Sequence, residues 1–312
     1  MTILVCGEAL FDVFVDQEHP LGFRLDARIG GSAFNLAIGL ARLGRGAGLL
    51  TGIGAGVMGR KLRGALEAEG VDTRYLVDKP NPVTLAMVEV GAGGSADYVF
   101  HGEGAADRAV TGADLPELDG LRALAFGCFS LLTRPTGDSF LSLASRARAA
   151  GLPVALDPNI RANVEPDMGV WRTRVDAFAT CSDIVKVSEE DFEALNPGMS
   201  PEEGARRWLG LGASLVALTR GGGGAEAWTE TLHVSCKAPQ VEVADTVGAG
   251  DSFLAGLLCA LDEGGALTGE GVRGLDAARL TAALEFASAV ASITCTRRGA
   301  DIPRRDELPQ RF

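Results

Sequence analysis

Short apolar runs alternate with amphipathic segments along most of this chain. Residues 2–7 and 49–53 form apolar runs, which are typical of buried strands. From residue 121 onward the pattern predicts strands at 121–128, 153–157, 183–187 and 214–219, and helices at 136–150, 168–180, 189–195 and 201–211. Because strands and helices alternate in this order, we predict an α/β fold with three layers and a doubly wound, mostly parallel sheet.

A second set of segments alternates between apolar and polar residues, which is the pattern of half-exposed strands. One begins at residue 8, and the other spans 84–101 around a Gly-Ala-Gly-Gly turn at 91–94, which predicts a β-hairpin. We expect residues 8–28 and this hairpin to form a small sheet outside the main layers. The whole chain, 1–312, is then a single α/β domain with a small β-sheet.

Composition and charge argue against several classes of protein. The 312 residues are 46% hydrophobic, which is ample for a core, and the net charge of −12 argues against nucleic acid and anionic membrane surfaces as partners. No apolar run is long enough to span a bilayer, and the N-terminus does not resemble a secretory signal. The six cysteines are scattered without a Cys-x-x-Cys pair, so we expect reduced thiols in a cytoplasmic protein.

The most informative stretch is Asp-Thr-Val-Gly-Ala-Gly-Asp-Ser-Phe-Leu-Ala-Gly at 245–256. It follows a β-like run at 241–244 and opens into a segment with helical apolar spacing, so its glycines lie at a helix N-terminus. There, the unpaired amides of Gly248, Ala249 and Gly250 favour an anion. Asp251 in the first turn adds a carboxylate, and this pairing suits phosphoryl transfer to an alcohol. The alternative is an Asp N-cap beside a tight glycine turn.

A second glycine motif points to a different class of function. Gly54, Gly56 and Gly59 form a Gly-x-Gly-x-x-Gly between a predicted strand and helix, with Asp72 or Asp78 as a ribose-binding acid. This motif suits a nicotinamide-dependent oxidoreductase, although it does not follow the first strand. A third class, a sugar-binding regulator without catalysis, is disfavoured by the intact Asp251.

Two long motifs resemble those of one family. The string at 245–256 resembles the C-terminal signature of the ribokinase-like (PfkB) carbohydrate kinases, and Gly-Gly-Ser-Ala-Phe-Asn-Leu-Ala at 30–37 resembles their N-terminal signature. The resemblance implies a ribokinase-like sandwich, with residues 8–28 and 84–108 forming a lid over a sugar. It also implies ATP-dependent phosphorylation of a sugar hydroxyl and, in some members, a homodimer formed through the lid.

The resemblance also implies roles for particular residues. Asp251 would be the base and the amides at 248–250 the anion hole. The sugar would be bound by Asp12, Gly30, Gly31, Asn35, Arg108 and Arg161. Residues 102–108 resemble bacterial fructokinases, and 157–161 match fructokinases and ketodeoxygluconate kinases. Fructose is therefore the expected acceptor, with 2-keto-3-deoxygluconate, another ketose or a nucleoside as alternatives.

For ATP and its ions, the resemblance implies contacts from Lys186, Ser188, Thr219, Gly221, Gly223, Gly248, Gly250 and Ser288. Mg²⁺ would bridge the phosphates. Many members have Asn-x-x-Glu to arrange its water shell, whereas this chain has Ser188 and Asp191, so Asp191 is the candidate for that role. A K⁺ site is expected at Asp245, Val247, Thr294 and Gly299.

Overall fold

A computed structural model describes residues 1–90 and 96–309. Within them, nine strands form a central sheet. Its spatial order is β13 (His233–Cys236), β12 (Ala225–Trp228), β11 (Leu215–Thr219), β10 (Ile184–Ser188), β9 (Val154–Asp157), β8 (Leu121–Gly127), β1 (Thr2–Cys6), β4 (Ala47–Gly54) and β5 (Leu76–Lys79). All neighbouring strands from β5 to β11 pair in parallel. β12 pairs antiparallel with β11, and β13 pairs antiparallel with β12. The predicted α/β class with a mostly parallel sheet is confirmed.

Helices cover both faces of this sheet. They are α1 (Ser32–Arg42), α2 (Val57–Ala68), α3 (Thr136–Ala149), α4 (Met168–Ala179), α5 (Glu189–Leu195), α6 (Pro201–Leu211), α7 (Ala249–Glu263), α8 (Gly269–Arg273) and α9 (Ala277–Cys295). Local sequence fixes several ends. For example, Ser200 and Glu203 form a capping box before α6, and Gly212 ends that helix at a φ of 124°.

The two faces of the sheet bury separate apolar cores. On one face α1, α7 and α9 contribute residues such as Leu40, Leu257 and Ala287. A β-carbon on Gly256 would lie 2.8 Å from the Ala287 Cα, so glycine lets α7 and α9 approach closely. On the other face α3, α4 and α6 bury large rings, including Trp208. These cores fix the N-terminus of α7 against the sheet.

Four strands form the separate small sheet, in the order β3 (Gly22–Gly30), β2 (Leu10–His19), β6 (Leu85–Val90) and β7 (Ala96–His101). β2 pairs with β6 in parallel, and β6 pairs with β7 antiparallel. The turn predicted at 91–94 lies outside the described residues. The pairing places Asp12 opposite Ala86, in the strand that follows β1 along the chain.

The β-like run at 241–244 is not a strand in the structure, which corrects that prediction. Val241 and Val243 are exposed, and the backbone N–H groups of Ala244 and Asp245 donate to the Cys295 carbonyl instead of to a neighbouring strand. Alternating valines favour an extended chain, but a strand also needs a partner edge. Here the segment lies against the end of α9.

The glycines of the Gly-x-Gly-x-x-Gly motif serve helix packing. A β-carbon on Gly59 would lie 1.7 Å from the Gly54 carbonyl oxygen, so the start of α2 could not approach the end of β4 with any larger residue. This contact accounts for the motif without a dinucleotide.

All six cysteines are free thiols, and three of them are buried. No helix in the described part of the chain is long and apolar enough to cross a membrane.

Candidate active site

The start of α7 places Asp251 at the carboxyl ends of the parallel strands. Gly248 precedes the helix at a φ of 77°, and a β-carbon there would lie 2.5 Å from the Ala300 Cβ, so the turn requires glycine. Asp251 is only 6% exposed. Its Oδ1 accepts a hydrogen bond of 2.6 Å from the Ser32 hydroxyl, and its Oδ2 accepts one of 2.9 Å from Asn35 Nδ2. The two family-like motifs therefore meet at this carboxylate.

The acidity of Asp251 reflects opposing effects. Burial raises its pKa to about 6, although hydrogen bonds from Ser32 and Asn35 and the charge of Lys186 act in the other direction. The carboxylate is thus mostly ionised at neutral pH, as expected from its place at a helix N-terminus. Its pKa is nevertheless raised, because burial outweighs the two hydrogen bonds and the charge of Lys186. A carboxylate with this pKa is a better proton acceptor than an exposed aspartate.

Glu8 fixes the start of α1, and the sequence did not reveal this role. The residue is 1% exposed, and its Oε1 accepts the Ser32 N–H at 2.8 Å while its Oε2 accepts the Ser130 hydroxyl at 2.8 Å. Gly31, the residue before the helix, provides no side-chain cap, so Glu8 takes that place. The result is a fixed orientation of Ser32 and Asn35 toward Asp251.

A cavity of about 540 Å³ opens in front of Asp251. The predicted residues that line it are Asp12, Gly31, Asn35, Arg161, Val247, Gly248, Gly250 and Asp251. Residues not predicted also line it, among them Glu8, Ser32, Tyr98, Cys128, Asn159 and Asn163. Burial raises the pKa of Asp12 to about 6, against the opposing charge of Arg161. Gly30 lies beside Asp12, since a β-carbon there would fall 2.2 Å from Asp12 Oδ2.

Two residues at this cavity have left-handed backbone conformations that are uncommon outside glycine. Cys128 has a φ of 57° and Asn159 a φ of 40°. Asn159 Nδ2 donates to the Ser32 hydroxyl at 2.8 Å, and its Oδ1 accepts from Arg161 at 2.7 Å. The conformation thus places one amide between the Asp251 network and the Arg161 guanidinium. Strained residues of this kind concentrate at functional sites.

Arg108 is not among the residues that line this cavity. Its guanidinium carbon lies 5.1 Å from the centre of the Phe129 ring, and Phe129 does line the cavity. The arginine therefore supports an aromatic wall, and a direct contact with a ligand would require its side chain to move.

A second cavity, of about 210 Å³ and mostly apolar, lies on the other side of the turn before α7. Its lining includes three residues predicted to contact the nucleotide, Thr219, Gly221 and Ser288. Gly223 was also predicted but does not line it, whereas its neighbour Gly222 does. Its apolar walls include Pro239, Val241, Val243 and Phe253. Thr246 and Gly250 line both cavities. The glycine turn is therefore the point at which molecules bound in the two cavities would meet.

Lys186, predicted to contact the nucleotide, lines neither cavity. It is 3% exposed and its Nζ donates to Asp157 Oδ2 at 2.8 Å. Ser188 caps α5, with its hydroxyl oxygen accepting the Asp191 N–H at 3.1 Å. Asp191 Oδ1 accepts the Ile160 N–H at 3.3 Å, and burial, followed by the Asp157 charge, raises the pKa of Asp191 to about 6.

Asp245 joins the glycine turn to the segment after α9. Its Oδ1 accepts the Val247 N–H at 3.1 Å, and its Oδ2 accepts the Gly299 N–H at 2.8 Å. The Thr294 hydroxyl is buried and bonded to Ser252, so only the carbonyl of Thr294 is suitable as an ion ligand. Among the described residues, no group of three or more His, Cys, Asp or Glu side chains is arranged to hold a metal by itself.

Comparison with known proteins gives concordant matches. The family model described as pfkB family carbohydrate kinase matches residues 2–307. A fructokinase from Rhizobium leguminosarum bv. trifolii is 41% identical, with 88% of this chain and 84% of the relative covered. A crystal structure of a fructokinase from Xylella fastidiosa with bound ATP has a TM-score of 0.89 at 25% identity, covering 98% of this chain and 96% of that one. A Salmonella enterica aminoimidazole riboside kinase, with aminoimidazole riboside and an ATP analogue, has a TM-score of 0.81 at 27% identity, with 99% and 98% covered.

Proposed function

This chain belongs to the PfkB family of carbohydrate kinases, and we propose that it transfers a phosphoryl group from ATP to a hydroxyl of D-fructose. The observation that carries the proposal is that two cavities meet at Thr246 and Gly250, with Asp251 on the side of the larger one. Fructose is preferred as the acceptor because the Rhizobium relative is a fructokinase, and ATP as the donor because the Xylella fructokinase was solved with ATP.

The larger cavity suits a polyol. Asp12 and Asp251 offer acceptors, Arg161 offers donors, and Asn35 offers both. Fructose lies here with one hydroxyl directed at the Asp251 carboxylate. The small sheet acts as a lid, since Tyr98 and Phe100 of β7 line the cavity from that side. Arg108 contributes by holding the Phe129 wall of the sugar site.

The smaller, mostly apolar cavity suits the adenine base of ATP. Thr219, Gly221 and Ser288 contact the nucleotide there, and its phosphates extend to the turn at Gly248 and Gly250. Amides at a helix N-terminus favour phosphate oxygens. Gly223 supports the loop that carries Gly221.

In the transfer step, the fructose hydroxyl oxygen forms a bond to the γ-phosphorus as the bond from that phosphorus to the β,γ-bridging oxygen breaks. ADP leaves with the electron pair of the broken bond. The hydroxyl proton passes to Asp251, which later releases it to solvent. In a loose transition state the alcohol becomes acidic late, so a carboxylate with a pKa of about 6 is a competent acceptor. The N–H groups of Gly248 and Gly250 stabilise charge on the transferring group, whereas the Ala249 N–H, predicted to be unpaired, donates to the Thr246 carbonyl at 3.2 Å.

The residues present also fit a magnesium ion held mainly by the phosphates. Mg²⁺ usually keeps several waters and binds one or two carboxylates together with substrate phosphates. Glu190 lines the larger cavity, and burial of the neighbouring Asp191 makes a nearby cation favourable. We assign Asp191, with Glu190, to the water shell of this ion. When bound, Mg²⁺ neutralises charge on the phosphates.

Two further assignments concern a monovalent cation and the oligomeric state. K⁺ binds beside Asp245, with the carbonyls of Val247, Thr294 and Gly299 completing the site. The chain forms a homodimer through the lid. Support for the dimer comes from exposed apolar side chains on the small sheet and its hairpin turn, namely Val15, Leu21, Phe23 and Leu25.

The proposal is tested by coupling ADP formation to an absorbance change across a panel of acceptors. D-Fructose should give the highest kcat/KM among common monosaccharides with ATP. The panel includes 2-keto-3-deoxygluconate and aminoimidazole riboside. Preferential turnover of either would replace fructose as the acceptor and leave the kinase activity standing. If none of the acceptors in the panel supports ADP formation, sugar phosphorylation is contradicted.

A further inference from the structure

A buried ion pair lies directly behind the glycine turn. Asp157 at the end of β9 and Lys186 in β10 have side chains 5% and 3% exposed, and Lys186 Nζ lies 2.8 Å from Asp157 Oδ2. A β-carbon on Gly250 would lie 2.9 Å from Lys186 Nζ. The ammonium is therefore in contact with the backbone of the turn that separates the two cavities.

The pair is unusually placed for a structural ion pair. Burying two charges is unfavourable unless each is well compensated, and Asp157 Oδ1 is buried without a hydrogen-bond partner. A purely structural pair is more often fully hydrogen-bonded. Moreover, Asp157 and Asp251 line the same small internal cavity of about 10 Å³, so the pair and the base share one environment.

We propose that Asp157 is a positioning residue, which holds the Lys186 ammonium against Gly250 so that its charge reinforces the amides that receive the transferred phosphoryl group. The proposal rests on the kinase function proposed above. Lys186 then does not make the direct nucleotide contact that the sequence predicted, and its charge acts on the nucleotide through the backbone of the turn. It also gives Gly250 a reason to be glycine, because a larger residue would displace the ammonium.

The same geometry couples the pair to the acidity of Asp251. The carboxylate of Asp157 raises the pKa of Asp251 and the ammonium of Lys186 lowers it, after the larger effects of burial and hydrogen bonding. Other charged groups of this environment are Arg161, which faces Asp251, Asp191, which faces Lys186, and Glu8, which shares Ser32 with Asp251. Removing Asp157 or Lys186 should therefore move the acid limb of kcat in opposite directions.

The test compares Asp157→Asn with Lys186→Met by kcat, KM and the pH profile of kcat. In Asp157→Asn, kcat should fall at least tenfold with both KM values within threefold, and the acid limb should move to lower pH. In Lys186→Met, kcat should also fall, but the acid limb should move to higher pH. If a variant only lost folded enzyme, the acid limb of its pH profile would not move.

The matched control is Asp183→Asn. Asp183, just before β10, is also a buried carboxylate in an ion pair, with Arg148 at 2.9 Å, although the Arg148 side chain is 33% exposed. This variant should lose thermal stability while its kcat per folded enzyme and its acid limb stay unchanged. The comparison separates the cost of breaking a buried pair from an effect on catalysis.

Because either single variant could fail to fold, the double variant Asp157→Asn/Lys186→Met is measured as well. It leaves no unpaired buried charge, and its kcat should still fall at least tenfold because no charge lies behind Gly250. The opposite effects on the acid limb should largely cancel in this variant, so a folded double variant with wild-type kcat would overturn the proposal. The wild-type acceptor panel decides the proposed function separately, and the variants are assayed with whichever acceptor the wild type prefers.

Discussion

Individual side chains at this site depend on partners that are far away in the sequence. Ser32 and Asp251 are 219 residues apart and form a hydrogen bond of 2.6 Å. Asp12, Asn35 and Asp251 could be predicted because they lie in motifs with a recognisable pattern. Glu8 could not be singled out, because its capping of α1 exists only once β1 and α1 pack together.

Asp12 should contribute to binding rather than to the chemical step. Its proposed contacts with the sugar would be made equally in the ground state and the transition state, so Asp12→Ala should raise the KM for fructose by about 10- to 100-fold, the size expected for a hydrogen bond to a charged group. The kcat should stay within about threefold of wild type. Steady-state kinetics with saturating ATP measures both values.

The control for Asp12→Ala is Asp16→Ala. Asp16 lies on the same strand but is exposed, where it pairs with Arg24. Its replacement should leave both constants unchanged. A fall in kcat with an unchanged KM in Asp12→Ala would assign Asp12 to the transition state instead.

At the level of elements, periodicity predicted the four strands and four helices between residues 121 and 219 to within one or two residues, whereas β12, β13 and α8 were not predicted. It could not predict what a segment lies against. The valines at 241 and 243 have strand-like alternation, yet they line the smaller cavity because no strand edge is beside them. Similarly, Lys186 lies in a buried strand as predicted, but its side chain pairs with Asp157 and lines neither cavity.

The loop before α7 is the element on which K⁺ should act. Asp245 ties that loop to Gly299, so a cation bound at Asp245 would order the amides of Gly248 to Gly250 without touching the sugar. We expect a higher kcat in K⁺ than in Na⁺ or Tris alone, with the KM for fructose little changed. Initial rates at equal ionic strength measure this effect. Equal rates in all three buffers would show that K⁺ does not affect catalysis.

The whole molecule carries a net charge of −12, yet it places a few positive groups beside the carboxylates of this site. Arg161, Lys186 and the N-terminus of α7 converge where the two cavities meet. Local groups of this kind can bind an anionic nucleotide in spite of the overall charge. The net charge was therefore an argument against nucleic acid and membranes as partners. It could not predict the ATP site, which depends on the tertiary arrangement of a few groups.

The central claim is that phosphoryl transfer depends on the carboxylate of Asp251 at the junction of the two cavities. The most direct measurement is kcat of Asp251→Asn, with ATP binding and Tm measured separately. A positioned base contributes about 10²–10⁴ in rate, so kcat should fall by at least that order while ATP affinity is unchanged. Burial raises the pKa of Asp251 to about 6, so at pH 8 the folded protein holds a buried charge that lowers its stability relative to the unfolded chain. Asp251→Asn removes that charge, and Tm at pH 8 should therefore not fall. Near-normal kcat in this variant would contradict the claim.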